Sequence, residues 1–298
     1  MDGIRPNVFI TTSHRGVAGE LVPVLSRARE YGCHTVLTLR DIYEPPRYTA
    51  EFEQLTEADF DSVVIAGPSA VQRWLPRGLV HGPLSRRVHF SGYFPPPTPI
   101  REVREAKPQA LVLCQVGGGA DGRVLLESVL TAIPDVRSSL SRDVQLRLVT
   151  GPLMSDADVE AVRARARGEA SVQPWLWSPS GELGPDIGRP DLVVSMAGYN
   201  SCVEAAWSRA PSILMPRVDP EDREQEVRAA LFAGWFRNIA SVRTHSSDEL
   251  AALMVHFLSS GRSVEHADRV IPSDMFARAD EVTATVLGPR GTGTATRS

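Results

Sequence analysis

The stretch Val193-Val194-Ser195-Met196-Ala197-Gly198-Tyr199-Asn200-Ser201-Cys202-Val203-Glu204 sets the architecture expected for this chain. An apolar run ends at Gly198 and a helix pattern with polar residues at its start follows, which predicts a strand, a tight turn and a helix. In a parallel α/β sheet such a turn lies at the carboxyl end of its strand, where the free N–H groups and dipole of the helix favour an anion. We therefore interpret the turn as a phosphate site. Glu204 lies about one helical turn from Ser201, so its carboxylate could accept hydrogen bonds from sugar or ribose hydroxyls.

A second polar segment follows the next predicted strand, Ile213-Leu214-Met215-Pro216. Arg217 comes directly after it, and Glu224-Gln225 open a helix that continues through Arg228-Ala229. The order and spacing of these segments, together with 195–204, resemble the donor-binding half of MurG-type glycosyltransferases. These enzymes of the glycosyltransferase B fold transfer N-acetylglucosamine from a uridine diphosphate (UDP) donor. The alternative is a well-capped helix in some other α/β protein.

The resemblance implies roles for individual residues. In the family, a Gly-x-x-Ser/Thr-x-x-Glu segment holds diphosphate and ribose, which here corresponds to Gly198, Ser201 and Glu204. A later glutamine holds sugar hydroxyls, which here corresponds to Gln225. The full set of predicted donor-binding residues is Gly117, Gly118, Gly119, Ser195, Ala197, Gly198, Tyr199, Asn200, Ser201, Glu204, Arg217 and Gln225.

Composition excludes several other classes of protein. A net charge of -4 argues against a nucleic-acid partner, because such proteins rely on a basic surface. No apolar run approaches the roughly 20 residues that span a bilayer, and no apolar signal core follows Met1, so a cytoplasmic location is expected. The three cysteines have no Cys-x-x-Cys spacing and suggest neither disulfide nor zinc. Lys107 is the only lysine, which argues against a P-loop or a pyridoxal Schiff base. We predict no cofactor and no metal, with a UDP-sugar as co-substrate.

The chain as a whole is predicted to form two α/β domains. Its 298 residues are enough for two cores, and strand-like runs alternate with helical patterns. The run Pro95-Pro96-Pro97 is semi-rigid and breaks the pattern, so the boundary is placed there. The predicted fold is two Rossmann-like, doubly wound parallel-sheet domains of the glycosyltransferase B type, the first one truncated. The predicted limits are 1–97 for the acceptor-side domain, 98–288 for the donor-binding domain and 289–298 for a disordered tail.

A glycine-rich turn opens the second domain, directly after the predicted strand Ala110–Cys114. Gly117, Gly119 and Gly122 match the dinucleotide-binding fingerprint. The next predicted strand, Gln145–Thr150, ends without an acidic residue for a ribose, so the match is weak. A glycine turn suits a nucleotide-sugar equally well, and MurG-like enzymes carry a Gly-Gly turn at this place. For Trp175 and Trp177, near the place where the family holds the base, core packing is preferred over base stacking.

The first domain lacks the start of the family pattern. Family members begin with a strand and a glycine-rich loop bearing a histidine, and Met1 lies beyond that point. A sheet of few strands with an open edge is expected, and with it a homo- or hetero-oligomer through this domain. The base that takes the acceptor proton should come from here, with His14 and Asp41 as candidates. His14 follows the first predicted strand, and a surface loop histidine is the alternative. Arg15 is either a loop charge or a diphosphate contact.

The resulting hypothesis is a metal-independent glycosyltransferase. It would move N-acetylglucosamine or a related sugar from a UDP-sugar to an unidentified small-molecule or lipid acceptor. A second hypothesis is a donor-binding subunit of a two-chain transferase. A third is a nucleotide-sugar hydrolase or epimerase of the same fold, since fold alone does not fix the reaction.

Overall fold

A computed structural model shows how the chain folds. It describes residues 6–12, 21–43, 52, 59–96, 108–168, 172–175, 190–242, 246–260 and 270–287. By contact these residues group into two compact units. Unit 1 lies within Met1–Pro95 and Ile271–Ser298, and unit 2 within Pro96–Val270.

Unit 1 is built on a parallel sheet of four described strands in the order β1-β2-β3-β4. The strands are β1 (Val8–Thr11), β2 (His34–Arg40), β3 (Ser62–Ala66) and β4 (Val88–Phe90). Helix α1 (Val22–Glu30) connects β1 to β2, and the short helix α2 (Arg77–His81) precedes β4. Every residue of β3 is buried, as expected for a strand covered on both faces.

Unit 2 contains a parallel sheet of six described strands in the order β10-β9-β8-β5-β6-β7. This is the Rossmann order, because the strand order reverses between the adjacent strands β5 and β8. Ligands of such sheets bind outside the carboxyl ends of the strands at this switch point. The strands are β5 (Gln109–Gln115), β6 (Asp143–Val149), β7 (Val172–Trp175), β8 (Leu192–Met196), β9 (Ser212–Met215) and β10 (Ile239–Ser241).

Five described helices follow strands of this sheet, and apolar residues on them complete the core. They are α3 (Arg123–Ser139), α4 (Asp156–Ala166), α5 (Tyr199–Ser208), α6 (Glu224–Trp235) and α7 (Ser247–Ser259). Side chains of α3 and α7, such as Leu126 and Met254, pack in one buried cluster with Val112 and Val194 of the central strands. The switch point therefore lies at the edge of a well-packed core. In the described part of the chain, no helix has both the length and the apolar character needed to cross a bilayer.

The last described segment returns to unit 1. Tyr93 donates its N–H to the Met275 carbonyl (2.8 Å) and accepts from the Ala277 N–H (2.8 Å). Helix α8 (Ala279–Leu287) then places Val286 against Val36 and Val64 of the unit 1 sheet. The sequence placed residues 98–288 in the second domain, whereas in the structure Ile271 and later residues group with unit 1. An amphipathic helix pattern does not specify which core the helix covers, so the sequence carried no local sign of this return.

Candidate functional site

Two helices of unit 2 begin side by side at the switch point. Helix α3 starts after Gly122, near the end of β5, and α5 starts after Gly198, at the end of β8. Neither N-cap glycine provides a side-chain hydrogen bond. By contrast, α4 and α7 are capped by the hydroxyls of Ser155 and Ser246. The first-turn N–H groups of α3 and α5 are therefore not satisfied by a capping side chain, and their dipoles favour an anion here.

The glycine turn between β5 and α3 adopts conformations that glycine favours. Gly117 and Gly119 have φ angles of 58° and 92°. A Cβ atom at Gly119 would lie only 2.7 Å from the Gly151 Cα, so this turn packs backbone against backbone. A Cβ atom at Gly117 would lie 3.9 Å from the Ser201 Oγ. The glycine turn thus meets the start of α5, which brings the two predicted phosphate-binding segments together.

Ser195 and Glu204 lie on the two elements that flank the Gly198 turn. Ser195 is 1% exposed, and its Oγ has no hydrogen-bond partner among the described residues. Glu204 is exposed as a residue. Loss of water around its carboxyl nevertheless raises the pKa of Glu204, and a hydrogen bond with the Gln115 side chain opposes that rise. Gln115 itself pairs in register with Ser195. The strand end and α5 are therefore joined through Gln115, and this bond only partly compensates the ionised Glu204 carboxylate for its loss of water.

Arg217 joins the loop after β9 to the glycine turn. Its Nη1 donates to Asp121 (3.1 Å) and its Nη2 to Asp222 (3.0 Å). A third carboxylate, that of Asp219, lies 3.6 Å from Nη2. Desolvation lowers the pKa of Arg217, but these carboxylates together raise it. The guanidinium was predicted to contact the donor, and in this structure both of its Nη groups already face carboxylates.

Gln225 lies in the first turn of α6 and contacts the same loop. Its Oε1 accepts the backbone N–H of Arg217 at 3.0 Å. Because this bond occupies the side-chain carbonyl, the amide Nε2 group is the part of Gln225 best placed to serve a ligand.

A cleft of about 430 Å³ opens beside Arg217. This volume falls within the range of about 300–1,000 Å³ that is usual for small-molecule sites. Apolar side chains form most of its wall and carboxylates lie at Asp121 and Asp219. The lining residues are Asp121, Val124, Leu125, Met196, Met215, Arg217, Val218, Asp219 and Pro220.

The remaining predicted residues fall into three groups. Ala197 is buried, and Tyr199 and Asn200 open α5 beside the turn. Gly118 is exposed in the glycine turn. His14, Arg15 and Trp177 lie outside the described residues, and for Trp175 only the backbone is described.

Asp41 does not have the environment of a general base. It is 0% exposed, and its Oδ2 accepts the Tyr93 hydroxyl at 2.7 Å. In this structure the Asp41 carboxylate is thus shielded from solvent and bonded within unit 1, which does not favour a role as the general base. Among the described residues, no group of three or more His, Cys, Asp or Glu side chains is arranged to hold a metal ion.

Three residues of the site were missed by the sequence analysis: Gln115, Asp121 and Gly151. Gln115 ends a strand and Asp121 lies inside the glycine turn, so position alone could have suggested both. Gly151 follows β6, and its role appears only when β5 and β6 are placed side by side, because a Cβ there would lie 2.3 Å from the Gly117 carbonyl oxygen.

Comparison with known proteins places this geometry in a class. MurG from Acinetobacter baumannii aligns with 94% of this chain and 74% of its own, at 15% identity and a TM-score of 0.55. A protein from Listeria monocytogenes, assigned as a UDP-N-acetylglucosamine 2-epimerase, aligns with 93% of this chain and 72% of its own, at 14% identity and a TM-score of 0.59. The glycotransferase of kitacinnamycin aligns with 87% of this chain and 69% of its own, at 14% identity and a TM-score of 0.55. At such low identities the likeness shows the fold, which is that of the glycosyltransferase B class.

The family of unit 2 follows from its sequence. Residues 112–259 match the glycosyltransferase family 28 C-terminal domain. Unit 2 therefore carries a domain of this family, and the resemblance to MurG-type enzymes is confirmed. The family and the fold together support sugar transfer as the general activity. No curated protein matches the sequence significantly.

Proposed function

We propose that this protein transfers N-acetylglucosamine or a related sugar from a UDP-sugar to a small-molecule or lipid acceptor. One observation carries the proposal: the uncapped N-termini of α3 and α5 lie at the switch point, and the glycine turn meets Ser201 there. A diphosphate fits this arrangement because backbone N–H groups and two helix dipoles would face its charge.

The parts of the donor are divided among the surrounding residues. Glu204 accepts hydrogen bonds from the ribose hydroxyls, and the amide of Gln225 donates to the sugar. The departing diphosphate is stabilised by the N–H groups of α3 and α5, so the reaction proceeds without a metal or cofactor. Arg217 acts mainly by holding the loop after β9 against the glycine turn, through its bond to Asp121.

An inverting transfer also needs a base for the acceptor hydroxyl. We assign this role to His14 in unit 1, since the sequence places it after the first strand and its usual pKa lies near neutrality. Asp41, the other candidate, is enclosed by the core of unit 1.

Binding of UDP tests the proposal directly. Isothermal titration in the presence of EDTA is expected to show UDP binding to the wild-type protein. Glu204→Ala should weaken UDP by roughly tenfold to a hundredfold, the usual effect of losing a hydrogen bond to a charged group. Glu160→Ala, on the exposed surface of α4, is the matched control and should bind UDP as the wild type does. Equal UDP affinity of the Glu204 and Glu160 variants would contradict the assigned ribose contact.

The similar structure from Listeria monocytogenes, which is assigned as an epimerase, makes a donor-only reaction worth testing. We expect mass spectrometry of the protein incubated with UDP-N-acetylglucosamine alone to show unchanged donor. Free N-acetylglucosamine would instead indicate a hydrolase, and a new UDP-sugar isomer an epimerase. A donor-binding subunit would bind UDP and transfer sugar only after its partner chain is added.

A further inference from the structure

Of the side chains in the described part of the chain, Arg228 is the largest that is fully buried. It lies on α6 and is 0% exposed. A charge removed from water is costly unless it is paired and hydrogen-bonded, and an apolar side chain of similar size is often as stable. The contacts of Arg228 should therefore show why a cation occupies this position.

Those contacts run to two different elements. Arg228 Nη2 donates to the Glu224 Oε1 at 2.5 Å, one turn earlier on α6. Arg228 Nη1 donates to the Ala197 carbonyl at 3.2 Å. The guanidinium carbon also lies 5.8 Å from the centre of the Tyr199 ring. Ala197 and Tyr199 are the residues on either side of Gly198, so Arg228 holds the turn from which α5 begins.

The same helix is tied to the other side of the site. Gln225 accepts the Arg217 N–H, and the Arg217 side chain donates to Asp121 in the glycine turn. Through α6, polar bonds therefore connect the loops at the carboxyl ends of β5, β8 and β9.

We infer that Arg228 is a positioning residue for the donor, which orients the 197–199 turn so that the first N–H groups of α5 face the diphosphate. This inference rests on the proposed function. An arginine suits the role because its planar fork donates in two fixed directions at once, here to a carboxylate and to a carbonyl. A lysine has one point charge and does not reproduce both bonds.

Three variants separate positioning from simple stability. Arg228→Met keeps the apolar volume but removes both bonds, and should weaken UDP by roughly tenfold or more. Arg228→Lys should recover much of the melting temperature but little of the UDP affinity. Phe232→Leu is the matched control, because Phe232 is also 0% exposed, lies one turn later on α6, and packs its ring against Trp235 and Phe236. It should lower the melting temperature and leave UDP affinity within about twofold of wild type.

Titration with UDP is done at a temperature where circular dichroism shows each variant folded. If Arg228→Met does not fold, Arg228→Lys carries the test. The inference would be overturned if the folded Arg228 variants bound UDP as tightly as the wild type. It would also be overturned if they and Phe232→Leu lost UDP affinity equally. Failure of the wild-type protein to bind UDP would instead overturn the proposed function.

Discussion

At the scale of single residues, Glu204 shows a conflict between stability and binding. Desolvation raises the pKa of its carboxyl. The ionised form is thus less favourable in the folded protein than in the unfolded chain. Ribose hydroxyls would donate hydrogen bonds to the carboxylate, so donor binding would offset the unfavourable desolvation of the ionised form.

Replacing Glu204 with glutamine should therefore change stability and affinity in opposite directions. The pKa of Glu204 is higher in the folded protein than in the unfolded chain. The stability linked to its protonated form is therefore fully present below the unfolded pKa and is lost as the pH rises through the folded pKa. Glu204→Gln should raise the melting temperature at pH 7 and have little effect near pH 4. UDP affinity at pH 7 should fall by roughly tenfold, since the acceptor charge is lost. A lower melting temperature at pH 7, measured by scanning calorimetry, would contradict this account.

Gln225 offers a test of sugar recognition. Gln225→Ala should weaken the UDP-sugar more than UDP, because its amide is assigned to the sugar. The effect on UDP should be measurable but smaller, since the variant also frees the Arg217 N–H and loosens the loop. Calorimetric titration with UDP and with UDP-N-acetylglucosamine measures how much the variant weakens each ligand. Equal weakening of UDP and UDP-N-acetylglucosamine would restrict Gln225 to holding the loop.

At the scale of elements, the glycine turn combines a special backbone conformation with close packing. Gly119→Ala adds a Cβ that meets Gly151 backbone at 2.7 Å with φ at 92°. We expect a loss of roughly 1–3 kcal/mol in stability together with weaker UDP binding, because the turn must move. Gly118→Ala is the control for stability: its Cβ would meet only the Leu153 side chain, at 3.6 Å. Equal melting temperatures for Gly119→Ala and Gly118→Ala would contradict the packing argument.

The elements themselves could largely be predicted from the sequence, while several contacts between them could not. Apolar runs and glycine breaks marked β5, β8 and the start of α5, because a strand covered on both faces needs a continuous apolar run. The bond of Arg217 to Asp121 spans 96 positions and arises only when β5 and β9 share a sheet. Asp41 was a candidate base because it follows a strand, but in the structure it is buried and accepts a hydrogen bond from the distant Tyr93. Such contacts depend on tertiary structure, which local patterns do not encode.

At the scale of the whole molecule, the chain passes from unit 1 to unit 2 and back. The return depends on Gly92, where a Cβ would lie 2.5 Å from the Asp274 carbonyl oxygen and φ is 73°. All twelve predicted donor-binding residues fall within unit 2, whereas the proposed base lies in the sequence of unit 1. Donor binding and proton transfer are thus assigned to different units.

This division leads to a prediction for the intact protein. A ligand that binds only the folded state stabilises it by about 2.7 kcal/mol at a concentration of 100 times its Kd. We expect saturating UDP to slow amide hydrogen exchange at 117–122 and 197–202, because these backbone groups are proposed to face the diphosphate. Protection in β1 to β4 should increase less than in these two segments, since no donor contact is assigned to unit 1. Glu204→Ala, measured at the same UDP concentration, should show less protection in both segments. Protection confined to unit 1 would contradict the placement of the donor in unit 2.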